Sequence, residues 1–175
     1  MQRIAITASA SGSGKSTLAR ELARRLDVPY VELDALHHGP DWAQATAEEL
    51  SARVEPVVAQ DAWVIDGHYL GKLGTLVLDR ADTVVWLDLP PRVWLPRLLR
   101  RTVRRLLRGE ELWNGNRESL RGALVGRDAL MPFAIRTYAA RRRELPATLA
   151  PYPLVHLRTP AEVDAFLASV PERDP

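Results

Sequence analysis

The chain has 175 residues, 46% of them hydrophobic and 26% charged, with a formal net charge of +2. This suits one compact domain over residues 1–175 with a sizeable core. There is no cysteine, which excludes disulfides, thiolate nucleophiles and cysteine-based metal sites.

Taken in chain order, apolar runs alternate with amphipathic segments. Arg3 to Ala8 (RIAITA) reads as a buried strand that follows Met1 without the pattern of a signal peptide. The window Ser9-Ala10-Ser11-Gly12-Ser13-Gly14-Lys15-Ser16 then matches G-x-x-x-x-G-K-[ST], with a serine in place of the first glycine. Ser16 to Leu26 reads as a helix, so strand, glycine loop and helix come in the order a phosphate loop requires. The amides from about Ser11 to Ser16 are expected to cradle phosphate at the positive end of that helix. In this reading Ser11, Gly12, Ser13, Gly14, Lys15, Ser16 and Thr17 bind the nucleotide, Lys15 reaching the β- and γ-phosphates. Ser16 ligates Mg²⁺. Ser9 begins the loop and lies away from the tight turn at the anion.

Tyr30 to Leu33 is a short strand, and Asp34 closes it. Ligands of open parallel sheets bind beyond the carboxyl ends of the strands, so Asp34 is a candidate to orient or deprotonate an acceptor hydroxyl. A turn aspartate is the plainer alternative. His37 and His38 read first as a solvated loop, with metal or substrate binding as the sharper option. Trp42 to Gln60 has a helical pattern, as two short helices or one broken near Pro56. Asp41 to Asp61 holds five acids against one base, Arg53.

Trp63 to Ile65 is a strand ending at Asp66-Gly67. A carboxylate there is the expected second anchor for Mg²⁺, and the glycine after it leaves room for a ligand. Asp88 competes, because Thr83 to Leu87 is another strand ending in an acid. Its alternative is a turn or capping role. Val93 to Leu107 is a helix with Leu95, Leu99, Val103 and Leu106 on one side. Arg92 to Arg108 contains seven arginines and no acid, whereas the whole chain has only Lys15 and Lys72 as lysines. Arg97, Arg101, Arg104 and Arg108 recur on the polar side. Arg97 and Arg101 are candidates to lie over the nucleotide, the others being a solvated face.

Glu110 to Arg121 breaks the helical pattern at Asn114-Gly115-Asn116. It reads as a short lid over about 108–122, carrying Arg117 and Arg121 to the transferring phosphoryl group, or as an ordinary turn between helices. Arg127 and Arg136 are further candidates. Arg117 to Arg143 is mostly helical, with a kink at Pro132. Leu154 to Leu157 is the last strand and Ala161 to Val170 the last helix. The turn His156 to Pro160 either meets the adenine or caps that helix through Thr159. Five strands alternating with helices predict a three-layer α/β/α fold around a five-stranded parallel sheet.

The stretches "SASGSGKSTLARELA", "VELDALHH", "WVIDGHY", "ADTVVWLDLP" and "ELWNGNRESL" resemble the nucleoside-monophosphate-kinase-like group of P-loop kinases. More narrowly, they resemble the adenylate-kinase-related bacterial proteins labelled "DNA topology modulation protein". The resemblance implies a five-stranded parallel core, an acceptor-binding region between strands two and three (about 35–61), and an arginine-bearing lid. The chain departs from adenylate kinase at Asp66-Gly67-His68-Tyr69-Leu70, where the arginine of a DGFPR-like segment is missing.

The expected activity is therefore a Mg-ATP-dependent phosphotransferase acting on a small molecule. Asp34 and the few cations around it point to an acceptor less anionic than AMP. The alternatives are a nucleoside monophosphate kinase and a nucleotide-dependent, nucleic-acid-binding regulator. The last ranks low because no aromatic-interleaved basic platform is evident. The apolar runs are too short to span a bilayer. A cytoplasmic monomer or homodimer is expected.

Overall fold

The computed structural model describes residues 1–67, 69–119, 122 and 129–172. The expected Arg121 and Arg127, and His68 of the third strand's motif, lie outside the described residues. At the centre is β1 (Arg3–Ala8), flanked by β3 (Trp63–Asp66) on one side and β4 (Thr83–Leu87) on the other. β2 (Tyr30–Glu32) and β5 (Leu154–Leu157) form the edges, giving the order β2-β3-β1-β4-β5 with every pair parallel. This is the three-layer α/β/α arrangement expected.

A strand sends successive side chains to opposite faces, and both faces are covered here. Ile4, Ile6, Val64, Val85 and Leu87 pack on α1 (Lys15–Leu26), through Leu18, Leu22 and Leu26, and on α8 (Pro160–Ser169). Ala5, Trp63, Ile65, Val84 and Trp86 face the other way. They meet α3 (Ala47–Val58), α5 (Leu76–Arg80) and the end of α7 (Leu130–Leu149). Ala10, Trp94, Leu98 and Ala134 form a third cluster that ties the loop after β1 to α6 (Pro91–Arg108) and α7.

Several expectations change. β2 stops at Glu32, and Leu33–His37 form a short helix, α2, so Asp34 stands in the first turn of a helix and does not end a strand. α3 is one helix that carries Pro56 inside it without a break. Its start is set by a capping box between Thr46 and Glu49. Pro132 lies in the first turn of α7, where a missing N–H costs nothing, and no kink is needed. α6 buries Trp94, Leu98 and Thr102, whereas Leu99, Val103 and Leu107 are exposed. Of the predicted apolar side, Leu99 and Val103 face solvent, whereas Leu95 and Leu106 are half-buried and Leu95 packs on the third cluster. A short helix, α4 (Leu70–Leu73), completes the connection after β3.

Candidate functional site

The loop after β1 is shaped by Gly12 and Gly14. Gly12 has φ +84°, and a Cβ there would stand 2.7 Å from the Trp94 carbonyl and 2.9 Å from Leu98 Cβ. Only glycine lets the loop lie flat on α6. Gly14, at φ 91°, is the N-cap of α1, and no side chain caps that helix. The first amides of α1 are thus left open at its positive end, which is how a helix terminus receives an anion. Ser13 is turned inward to the Ala10 carbonyl (2.9 Å), Ser11 is half-buried, and Thr17 lies exposed on the first turn.

Ser9 is fully buried and does not have a positive φ, so no glycine is required there. Its hydroxyl donates to Asp88 Oδ1 (2.9 Å) and accepts from Trp86 Nε1 (3.0 Å). Asp88 also holds Arg142 Nε at 2.9 Å and lies 3.3 Å from His156 Nε2. His156 stacks on Trp86 with ring centroids 3.9 Å apart. Asp88 is therefore engaged in a network that locks β4 to β5 and α7. Thr159 caps α8 by accepting from the Glu162 N–H, the capping alternative for that turn.

The uncapped end of α1 faces a row of carboxylates at the sheet's carboxyl edge. Ser16 Oγ donates to Glu32 Oε1 at 3.2 Å, and Glu32 also pairs with Arg20 at 3.5 Å. Asp66, with no exposed surface, accepts from Tyr30 OH (3.2 Å) through Oδ2, while its Oδ1 is buried without a partner. Burial pushes its carboxyl up; the Lys15 charge and the Ser16 hydroxyl pull the other way. An orphaned buried carboxylate oxygen beside a lysine and a serine is a position suited to Mg²⁺, which binds proteins through one or two oxygen ligands and otherwise through water and phosphate. Among the described residues no three His, Cys, Asp or Glu side chains form a ready cage, as such a site would not need one.

The glycine after Asp66 does not leave the ligand space expected of it. At Gly67, φ is +146° and a Cβ would stand 2.6 Å from Leu33 Cβ, so α2 is seated directly on this position. That contact sets Asp34, the next residue, against β3. Tyr69 OH donates to Asp34 Oδ1 at 2.6 Å. Burial and the Asp34 charge push the Tyr69 phenol up, so it stays protonated and donating. The position of His37 also differs from the solvated loop expected. It is buried on α2 with its ring 4.7 Å from Tyr69, and burial lowers its basicity and that of His38.

The arginines divide. Arg97 Nη1 lies 3.9 Å from where a Gly14 Cβ would be, beside the phosphate loop. Arg101, expected at the nucleotide, is half-buried; burial and the neighbouring Arg105 charge lower its basicity, and Glu118, Asp34 and Glu32 act the other way. Arg104 pairs with Glu110 (3.0 Å) and Arg108 is exposed. Arg117 is mostly solvent-exposed, its nearest carboxylate being Glu111 at 3.9 Å. In this conformation it is a surface residue, because its short hairpin directs it outward.

That hairpin repeats a turn found earlier in the chain. His38 bridges Gln44 and Glu111 bridges Arg117, each across a 3-10 turn, Pro40–Trp42 and Trp113–Gly115. Asp41 and Asn114 occupy the same left-handed conformation (φ 53° and 57°). Both turns close by the same two backbone bonds, Gly39 N–H to Ala43 O and Ala43 N–H to Pro40 O in one, Leu112 N–H to Asn116 O and Asn116 N–H to Trp113 O in the other. The two turns dock on each other. Buried Asn116 accepts from the Trp42 N–H (2.8 Å) and donates to the Gly39 carbonyl (2.8 Å), and Asn114 donates to the His38 carbonyl. His38 stacks on Trp113, ring centroids 5.8 Å apart. Beyond the hairpin, Glu118 pairs with Arg105 at 2.8 Å.

Sequence reasoning did not single out Glu32, Tyr69, Glu118 or Arg141. Glu32 had a signal, since it lies two residues before Asp34 at the same strand end. Arg141 sits in a run of three arginines that reads as a solvated face.

No family model and no curated protein matches the chain. Solved structures do. Shikimate kinase from Acinetobacter baumannii, in complex with shikimate, matches over 94% of this chain and 88% of its own, with TM-score 0.59 at 18% identity. Gluconokinase from Sinorhizobium meliloti matches over 95% and 91%, with TM-score 0.53 at 19% identity. Deoxyadenosine kinase from M. mycoides with bound dCTP matches over 94% and 96%, with TM-score 0.53 at 12% identity. The chain has the P-loop kinase fold of these enzymes, a nucleoside-monophosphate-kinase-like three-layer α/β/α fold. The narrower resemblance to the "DNA topology modulation protein" group rests on the sequence motifs alone.

Proposed function

We propose that this chain is a Mg-ATP-dependent phosphotransferase acting on a small hydroxylated molecule. The observation that carries the reading is the uncapped N-terminus of α1 with Lys15 and Ser16, facing Glu32 and Asp66 across the sheet edge, with Asp34 in the first turn of α2 two residues after Glu32. That the structural neighbours are kinases of small molecules supports it.

In this reading the amides of Ser11 to Ser16 hold the β- and γ-phosphates, Lys15 neutralises them, and Arg97 covers the loop at Gly14. Ser16 and Asp66 would hold Mg²⁺, with Glu32 orienting the Ser16 hydroxyl; when bound, the ion neutralises charge on the phosphoryl oxygens. Asp34 uses Oδ1 to accept from Tyr69 and leaves Oδ2 to accept the proton of the acceptor hydroxyl. The region 35–61 and the lid at 108–122 close over the acceptor within one unit spanning 1–175, and their docking excludes water from the transfer. Arg117 would reach the phosphoryl group only in a second arrangement of the hairpin; Arg121 is assigned the same role from the sequence alone.

The test is ADP release in a coupled assay across hydroxylated metabolites and nucleotides, with MgATP binding measured in parallel. Lys15→Ala should remain folded and lose both. Turnover unchanged in that variant would overturn the assignment.

A further inference from the structure

α6 carries apolar side chains where a surface helix ordinarily carries polar ones. Trp94, Leu98 and Thr102 turn inward, yet Leu99, Val103 and Leu107 stand 48%, 46% and 82% exposed. Each follows the last by four residues, so they form one row along the outside of the helix, about 12 Å long at a rise of about 1.5 Å per residue. Arg100, Arg104 and Arg108, all exposed, form a second row one residue further on. Among the described residues, these six side chains line one open groove of about 460 Å³. Single exposed apolar side chains are ordinary on a protein surface. A continuous row of them beside a charged row marks a surface that meets a partner.

Only the middle of the arginine row has a counter-charge within the described residues. Arg104 pairs with Glu110 at 3.0 Å, so a carboxylate fits on this row. Arg100 and Arg108 make no hydrogen bond or ion pair with any described residue. We propose that this groove of α6 is the docking surface for an acidic amphipathic helix of a partner protein. Two parallel ridges in steps of four leave between them the groove into which a ridge of another helix packs. The partner's apolar side chains cover Leu99, Val103 and Leu107, and its carboxylates meet Arg100 and Arg108. The arrangement selects against other occupants. A second copy packed antiparallel sets arginine row on arginine row, and packed parallel it leaves both rows without a counter-charge, since Arg92 to Arg108 contains no acid. Nucleic acid satisfies the arginines and leaves the apolar row in water. A lipid surface suits an apolar face with cations along both borders. Here the arginines stand on one side of the row, and half-buried Leu95 and Leu106 on the other. None of the six side chains takes part in the binding of nucleotide or acceptor proposed above, so the surface stands apart from that reading.

The test uses the full chain and a fluorescein-labelled peptide of four Ala-Leu-Glu-Ala repeats, capped at both ends, with a peptide carrying lysine for each glutamate as control. In fluorescence anisotropy the glutamate peptide should bind and the lysine peptide should not. Val103→Ser with Leu107→Ser should weaken binding about tenfold or more. Arg100→Ala with Arg108→Ala should weaken it too and flatten its dependence on salt. Both double variants should keep the melting temperature of the wild type, because all four side chains are exposed. A fall in melting temperature in both would show that the rows pack within the chain and overturn the proposal. No binding of the glutamate peptide, equal binding of the lysine peptide, or binding that either double variant retains in full would do the same. A wild-type dimer in sedimentation velocity that Val103→Ser with Leu107→Ser abolishes would assign the surface to a second copy instead. Tighter binding to vesicles of equal parts phosphatidylcholine and phosphatidylglycerol, or to duplex DNA, than to the glutamate peptide would likewise overturn it.

Discussion

Asn116 accepts the backbone N–H of Trp42 through Oδ1 at 2.8 Å, and so one side chain of the hairpin satisfies a residue held at φ 59° in the opposing turn. Asn116 is 4% exposed and also donates to the carbonyls of Gly39 and Trp113. Removing it leaves the Trp42 N–H and the Gly39 carbonyl unpaired, at about 1–3 kcal/mol each if they stay buried. Asn116→Ala should therefore undock the two turns without unfolding the sheet. Hydrogen exchange is the measurement: amides of Trp42 and Leu112 should lose at least tenfold in protection while those of β1 and β4 keep theirs. Uniform loss across the chain would mean that Asn116 supports the whole fold.

Ser9→Gly restores the motif's usual first residue and should nevertheless weaken the protein. The buried Ser9 hydroxyl bridges Trp86 Nε1 and Asp88 Oδ1. Losing it strands the indole N–H and one contact of the carboxylate, at about 2–4 kcal/mol in total. Urea unfolding should show a lower midpoint with an unchanged slope. MgATP affinity, measured on the folded variant, should hold within a few-fold. An equal or higher midpoint would show that the network contributes nothing.

Asp66 sets a pH dependence whose sign can be worked out. Its folded pKa is raised above the ordinary 3.8, chiefly by burial. The native state therefore holds the proton where the unfolded chain has released it, and the ligand-free protein loses stability as pH rises from 3.8 through the folded value. Asp66→Asn should abolish that slope and stabilise the ligand-free protein at neutral pH. The same substitution should weaken Mg²⁺-dependent nucleotide binding by about tenfold or more. A stability slope over this range that survives in Asp66→Asn would place its origin elsewhere.

Tyr69→Phe removes the 2.6 Å donor to Asp34 and leaves the aromatic ring against His37. Turnover should fall about tenfold to a hundredfold, as expected when a catalytic carboxylate loses its positioning partner. MgATP binding should be unaffected. Equal effects on both would mean that Tyr69 acts through the fold.

The strands and the phosphate loop were legible in sequence because their signals are local. A run such as Arg3–Ala8 followed by glycines and Lys15 has few other readings. The face of α6 was not. Its apolar residues at 93, 94, 95, 98, 99, 103, 106 and 107 cover more than one side of the helix, so periodicity alone cannot choose. The choice is made by Gly12, which lets Leu98 and the Trp94 carbonyl approach closely. Once that face is turned in, Arg101 and Arg105 lie half-buried on the flank of α6, with Arg105 paired to Glu118. Tyr69 was illegible because its bond to Asp34 forms only through the tertiary fold. The short helix at Leu33–His37 was missed because five residues carry no periodicity.

The seat of Leu33 on Gly67 has a consequence for timing. Leu33 precedes Asp34, and Gly67 follows Asp66, with the glycine's missing side chain filled by the leucine at 2.6 Å from where its Cβ would stand. In the proposed reading, the carboxylate that would meet the acceptor and the carboxylate that would meet the metal are thereby carried on one stiff joint. A hairpin that closed over the cleft would leave their spacing untouched. In that reading the moving parts would regulate entry and departure, and the alignment of donor and acceptor would be set before either arrives.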